Sequence, residues 1–224
     1  MEMITLNGIT SDSLGIIVDG YSFKPIAKRR VESQHIPGRN GDLLIDEGVY
    51  DNYIQSYTIY WLPSTSLASI SQWLNQSGYV KLIDSDLPEY YRMAQVSGPI
   101  NPTNHRDCYT EASVSFNCKP QWFLVSGDVT KTLNAATNIV NPTPEYSRPL
   151  IVVYGTGDGI LKVNGENITL TSINTSITLD SELMEASVNS KMSGNFPTLK
   201  PGNNSIDWSG GITKVDITPR WWIA

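Results

Sequence analysis

At 224 residues and a net charge of −6, the chain has room for one large β domain or two of about 100 residues, either able to bury a core. A hydrophobic share of 40% excludes a disordered chain, and the acidic balance excludes general attraction to nucleic acid or anionic lipid. The 17 Gly and 13 Pro, with many Ser, Thr and Asn, favour strands and turns over helices.

The opening Met1-Glu2-Met3-Ile4-Thr5-Leu6 has no basic segment and no long apolar run, so it does not read as a signal peptide and points to synthesis in a cytoplasm. No stretch reaches the roughly 20 apolar residues of a membrane span, so no membrane insertion is expected. Ile4-Thr5-Leu6 and Gly15-Ile16-Ile17-Val18 read as short strands separated by turns at Asn7-Gly8 and Ser11-Asp12-Ser13. Lys28-Arg29-Arg30, the only basic cluster, reads as a solvated turn.

Ile36–Leu44 is the strongest turn signal in the first half. Asn40-Gly41 suits a type I′ hairpin because both residues tolerate positive φ, and Pro37-Gly38 makes a second break with Arg39 between them. An acidic segment through Asp51 leads into a strand at Ser56–Leu62, which Pro63 ends. Ser64-Thr65-Ser66 offers N-cap hydroxyls to a helix with Leu67, Ile70, Trp73 and Leu74 on one side, stopped by Ser77-Gly78. Strands follow at Tyr79–Ile83 and Tyr90–Val96, with Asp84–Pro88 turning between them. Pro99 and Pro102 bracket a loop.

From Cys108 to Cys118, alternation places Cys108, Thr110, Ala112, Val114, Phe116 and Cys118 on one face. Ten residues of continuous strand hold the two sulfurs roughly 33 Å apart, which excludes a disulfide between them and reads both as small core residues.

Composition shifts at Ser126-Gly127-Asp128, which divides the chain into domains 1–128 and 129–224. In the second, short strands are expected at Pro149–Tyr154, Ile160–Val163, Asn167–Leu170, Ser176–Leu179, Asn204–Trp208 and Lys214–Ile217. Turns at Gly155–Gly159, Asn164-Gly165 and Lys200–Asn204 separate several of them, and this even spacing suggests a β-sandwich.

No catalytic, cofactor or metal site emerges. Gly155-Thr156-Gly157-Asp158-Gly159 precedes a strand instead of a helix and reads as a hairpin turn, not a nucleotide loop. Asp84-Ser85-Asp86 with Glu89 lacks the central Gly of a calcium loop. His35 and His105 belong to no ligand-spaced cluster, and Cys108 on an inward strand position is poorly placed as a nucleophile. Trp208, Trp221 and Trp222 read either as a glycan-stacking platform or as packing residues.

The chain resembles the distal tail proteins of long, flexible-tailed bacteriophages (the siphophage Dit family) along nearly its whole length. In the first half the likeness rests on Pro37-Gly38-Arg39-Asn40-Gly41 with the acidic-aromatic stretch to Tyr50, on Asp84–Arg92, and on Phe116-Asn117-Cys118-Lys119-Pro120. In the second half it rests on Asn141-Pro142-Thr143, Pro149-Leu150, Tyr154–Gly159, Phe196–Asn204 and Pro219-Arg220-Trp221-Trp222. One departure stands after Pro120, where the family tends to carry Tyr and this chain has Trp122 and Phe123 nearby.

The resemblance implies a mainly β chain, with a ring-forming domain over 1–128 that carries one helix and a galectin-like β-sandwich over 129–224. It implies a homo-hexameric hub of the virion at the phage tail tip, with no enzymatic activity. The partners would be the tail tube protein, a tail-associated tip protein and a receptor-binding protein, with DNA passing through the lumen without specific binding. Gly38, Arg39, Asn40, Gly41 and Asp42 become the expected subunit contact, and Asp42, Asp46, Glu47 and Asp51 the expected lumen-facing carboxylates. The alternative is a lectin-like β protein that recognises host cell-wall glycans through Trp208, Trp221 and Trp222.

Overall fold

A computed structural model describes residues 3–19 and 24–224, apart from the side chain of Asn189. Met1 and Glu2 of the opening stretch lie outside the described residues. The chain is mainly β and divides into two compact units, Met1–Trp122 with Ala224 and Phe123–Ile223. That division falls ahead of the expected 128/129, since Leu124, the last residue of a long strand from Tyr109, already packs on the second core.

In the first unit the strands are β1 (Ile4–Leu6), β2 (Ile9–Thr10), β3 (Ile16–Val18), β4 (Arg29–Gln34), β5 (Leu43–Tyr50), β6 (Tyr53–Trp61), β7 (Val80–Asp84), β8 (Tyr90–Val96), β9 (Thr103–His105) and β10 (Tyr109–Leu124), with helix α1 at Leu67–Leu74. One sheet runs in the order β2-β1-β7-β8-β10-β6-β3, with β9 added on β10. Alternate residues of β6 (Tyr57, Ile59, Trp61) and β10 (Ala112, Val114, Phe116, Cys118) bury one face of it. Ile70, Trp73 and Leu74 of α1 join that core. The helix starts where the hydroxyls predict, with the Ser66 side chain accepting the Ser69 N–H at 3.3 Å. Trp73 Nε1 donates to the Ile9 carbonyl at 3.1 Å, so the helix is held by a polar tie as well as by packing.

Cys118 is buried as expected, and burial pushes its thiol up to about 11. Cys108 is exposed, contrary to the core reading. Alternation fails there because the strand begins only at Tyr109. Arg106 and Asp107 turn the chain with φ of 52° and 59°, and Cys108 N–H closes the turn on the His105 carbonyl.

A buried ionic cluster ties four strands of this sheet together. Arg92 of β8, 1% exposed, pairs with Asp84 at the end of β7, 2% exposed, and donates to Tyr57 Oη at 2.6 Å. The Tyr57 hydroxyl donates in turn to Asp84, and Gln55 Oε1 accepts from Arg92 at 3.4 Å. The guanidinium lies 4.5 Å from the ring centre of Trp122 at the far end of β10. Burial drives the Tyr57 hydroxyl far above its ordinary range, so it stays a donor. Lys24 Nζ, 3.5 Å from Asp84, adds a second cation at the edge.

The second unit is built on β13 (Leu150–Val163), β14 (Glu166–Asp180) and β17 (Gly202–Thr218), hydrogen-bonded in the order β17-β13-β14. Short strands β11 (Lys131–Leu133) and β12 (Thr137–Asn141) pair with β17, and β15 (Glu185–Ala186) and β16 (Met192–Ser193) pair with β14. The six short strands expected here are therefore halves of three long ones. Gly155–Gly159 is not a hairpin turn but a bulge inside β13, where the register with both neighbours slips. A Cβ on Gly211 would collide with the Thr156 carbonyl, and one on Gly155 with the Gly211 carbonyl, so glycine is required on both sides of this backbone-to-backbone approach.

The bulge bends the strands. Ile151 and Val153 before it, and Leu161 and Val163 after it, enter a single core with Ile177, Leu179, Ile206, Val215 and Ile217, which makes the unit a β-sandwich. Buried asparagines set its turns: Asn204 Oδ1 accepts the Lys200 N–H at 2.8 Å while its Nδ2 donates to the Lys200 carbonyl, also at 2.8 Å. Asn141 acts likewise on Thr143 and Glu145.

Two measurements check this picture. Arg92→Leu removes the buried cation from Asp84, leaving it Lys24 at the edge and the Tyr57 hydroxyl, and is expected to lower the unfolding free energy by about 3 kcal/mol in urea denaturation. Thiol titration of the native protein should find one reactive cysteine per chain, Cys108, with Cys118 appearing only in denaturant.

Candidate functional site

Between β3 and β6 the chain leaves the sheet as a ribbon. β4 and β5 pair antiparallel with each other, Gln34 opposite Leu43, Ser33 opposite Leu44, Glu32 opposite Ile45 and Val31 opposite Asp46. Neither strand pairs with any other among the described residues. Every residue of β4 is exposed, and in β5 only Leu43 and Tyr50 are partly covered. At the base, Asp51 N–H bonds to the Lys28 carbonyl at 2.8 Å. Gly48, at φ 72°, kinks β5 while Asp46 Oδ1 accepts its N–H at 2.8 Å.

Charges lace the ribbon across its strands. Arg29 Nε lies 2.6 Å from Asp46, and Arg30 Nε lies 2.7 Å from Asp51 with Glu47 at 3.7 Å from the same guanidinium. Arg29 and Arg30 thus belong to a strand and not to the solvated turn expected for them. Their exposure leaves these pairs screened by solvent, so they orient the ribbon more than they stabilise it.

The tip departs from the expected Asn-Gly geometry. Pro37-Gly38 forms a type II turn, with Arg39 N–H bonded to the Ile36 carbonyl at 3.2 Å and Gly38 at φ 84°. Gly41 has φ 79°, whereas Asn40 does not reach positive φ, so no type I′ turn forms. Proline fixes the first reversal early, and the loop needs residues 35–42 to return. A Cβ at Gly38 or Gly41 would meet nothing within 4 Å, so these glycines serve conformation and leave the tip uncovered.

Gly38, Arg39, Asn40, Gly41 and Asp42 are all exposed at this tip. Asp42 accepts from Ser33 Oγ at 2.8 Å and faces His35 Nδ1 at 3.5 Å. The Arg39 side chain has no hydrogen bond or ion pair among the described residues. Asp46, Glu47 and Asp51, expected to line a lumen, lie along the ribbon with Arg29 and Arg30 against them, which offsets much of their negative field.

Apolar exposure is what the sequence reading missed. Leu44 is 67% exposed, and Val31, Ile45 and Val49 stand open beside it. Leu43-Leu44-Ile45 directly after a turn signal was the available clue, since a two-stranded ribbon has no face on which to bury three branched residues.

The tryptophans do not form one open surface. Trp221, 2% exposed, sits in the second core and offers no ring face to a sugar. Trp208 packs partly buried against that core, and Trp222 donates Nε1 to the Tyr146 carbonyl at 2.9 Å. Among the described residues, no group of three His, Cys, Asp or Glu side chains comes together as a metal site.

Neither a protein-family model nor a curated protein sequence matches the chain. In three dimensions it is similar to the crystal structure of SPP1 Dit (gp 19.1), described as a paradigm of the hub adsorption apparatus in phages that infect Gram-positive bacteria. The match has a TM-score of 0.70 at 12% sequence identity, over 97% of this chain and 98% of that one. It therefore carries the fold through both units.

An exposed tip on a ribbon without a core is a protease target. Trypsin is expected to cut the native, unassembled chain first after Arg39, leaving two fragments that stay associated; mass spectrometry of the early digest reads the position.

Proposed function

We propose that this protein is a structural hub of a bacteriophage tail. Six copies close into a ring at the tail tip, joining the tail tube protein to a tail-associated tip protein and a receptor-binding protein. The shared fold with a phage hub protein supports this reading, and the uncovered arm formed by β4 and β5 carries it. An isolated two-stranded ribbon is marginally stable in water, and this one leaves Val31, Leu44, Ile45 and Val49 open. Such an arm gains its stability by lying on another subunit, with Gly38–Asp42 leading as the contact tip.

The acidity of the chain suits passage of DNA. Six copies at −6 carry a formal −36, and a negative wall repels phosphate so that the duplex slides without specific binding. In this role the protein performs no catalysis. A lectin role through the tryptophans finds less support, because Trp221 is inside the core.

Light scattering with negative-stain imaging tests the ring: six-fold particles with a central hole are expected, and a monomer at every concentration would overturn the proposal. Deleting Arg39–Asp42 should leave thermal unfolding nearly unchanged while impairing assembly. Outright unfolding of the deletion variant would place the stretch in the intrachain core instead.

A further inference from the structure

We infer that the arm docks on the next copy of the same chain at a cleft beside β3, with Leu44 as the side chain that fills it. The inference rests on the ring reading above and names its acceptor. The cleft has a volume of about 250 Å³ and is walled by Ile16, Ile17, Tyr60, Trp61, Leu62 and Tyr109. Its rim is apolar and open, with Ile17 46% and Leu62 57% exposed. Small-molecule sites run to roughly 300–1,000 Å³. A smaller, aliphatic and aromatic cleft suits one or two apolar side chains better than a cofactor.

Arm and cleft match in chemistry as well as size. Leu44 and Val31 share one face of the ribbon, because Leu44 lies opposite Ser33 and Asp46 opposite Val31. Arg39, with no hydrogen bond or ion pair among the described residues, is the cation at the arm's tip. Around the cleft stand carboxylates: Asp12 in its wall, Asp19 directly after β3, and Glu111 opposite Tyr60 in the β10–β6 register, with His105 3.2 Å from that carboxylate. A second cleft, between α1 and the Pro99–Pro102 loop, is also apolar, but no charged residue lines it. Its wall lacks the carboxylate that Asp12 gives the first.

Plug and socket are different residues of one chain, so the contact is heterologous. It leaves each copy with one arm to give and one cleft to receive, and such contacts propagate head to tail until the rotation closes a ring. An arm-to-arm dimer would satisfy the ribbons but leave every cleft open.

Disulfide trapping tests this in a Cys108→Ser background, which removes the exposed native thiol. Leu44→Cys with Ile17→Cys should give, on oxidation, a ladder of covalent oligomers on a non-reducing gel. Leu44→Cys with Leu67→Cys, which probes the other cleft, should give no ladder. Light scattering before oxidation reports assembly separately. Rings without the Ile17 ladder would overturn the inference and leave the ring standing, whereas no assembly at any concentration would overturn both. A ladder through Leu67, or dimers from Leu44→Cys alone as strong as the paired product, would also overturn it.

A second readout does not depend on cross-linking. Leu44→Asp, at an exposed position, should keep the native circular dichroism yet raise the concentration for half-assembly at least about tenfold. Leu67→Asp should leave that concentration unchanged; equal effects from both would sink the assignment of the cleft.

Discussion

The first unit depends on one buried charge and its neutralisation. Arg92 and Asp84 sit at 1–2% exposure because their charges face each other, and Tyr57 and Gln55 add hydrogen bonds to the pair. The cluster reaches from β7 and β8 to β6, then by stacking to the end of β10 at Trp122. β6 is the strand into which the arm runs, since β5 ends at Tyr50 and β6 begins at Tyr53. Asn52, in between, donates to the hydroxyl of Tyr79 at 2.8 Å. The uncovered ribbon therefore runs directly into a strand that the buried cluster ties to its neighbours.

The second unit solves a different problem with glycine. Three long strands can enclose a core only if they bend, and bending brings two backbones closer than side chains allow. Gly155 and Gly211 meet at that point, Gly159 and Gly210 flank it, and Asp158 Oδ1 holds the neighbouring strand through the Ser172 N–H at 2.7 Å. The neighbouring strand is irregular at the same level, with Ser172 and Thr175 of β14 at φ of 49° and 72°, so all three long strands depart from regular geometry where the core is enclosed.

Much of this was legible from residue order. The Ser66 cap and the Leu67–Leu74 helix follow from local hydroxyl chemistry and helical spacing, and the inward face from Ala112 to Cys118 follows from alternation. What failed was tertiary in origin. Period two assigns faces but not where a strand begins, so alternation extends one residue too far and counts Cys108 as inward although the strand starts at Tyr109. Glycines mark tight backbone, but whether they turn a hairpin or indent a continuous strand depends on Gly210 and Gly211, some fifty residues away in sequence. Arg29 and Arg30 read as a loop because their carboxylate partners lie across the ribbon. The site was half visible: turn signals located the tip, while the lack of any cover over Leu44 could be seen only once the other strands were placed. The asparagine motifs that carry the family likeness are turn clamps, Asn141 holding the backbone of Thr143 and Glu145 and Asn204 that of Lys200.

The arm also has a directional consequence. It leaves its sheet at one point, between β3 and β6, and its two strands pair with no other strand among the described residues. A closed array made by passing such an arm always to the following neighbour has no two-fold axis lying in its plane, so its upper and lower surfaces are chemically unlike. Polarity of that kind lets one gene product present a separate seat to each of two different neighbours along an axis, and it gives a stack of such parts an unambiguous up and down.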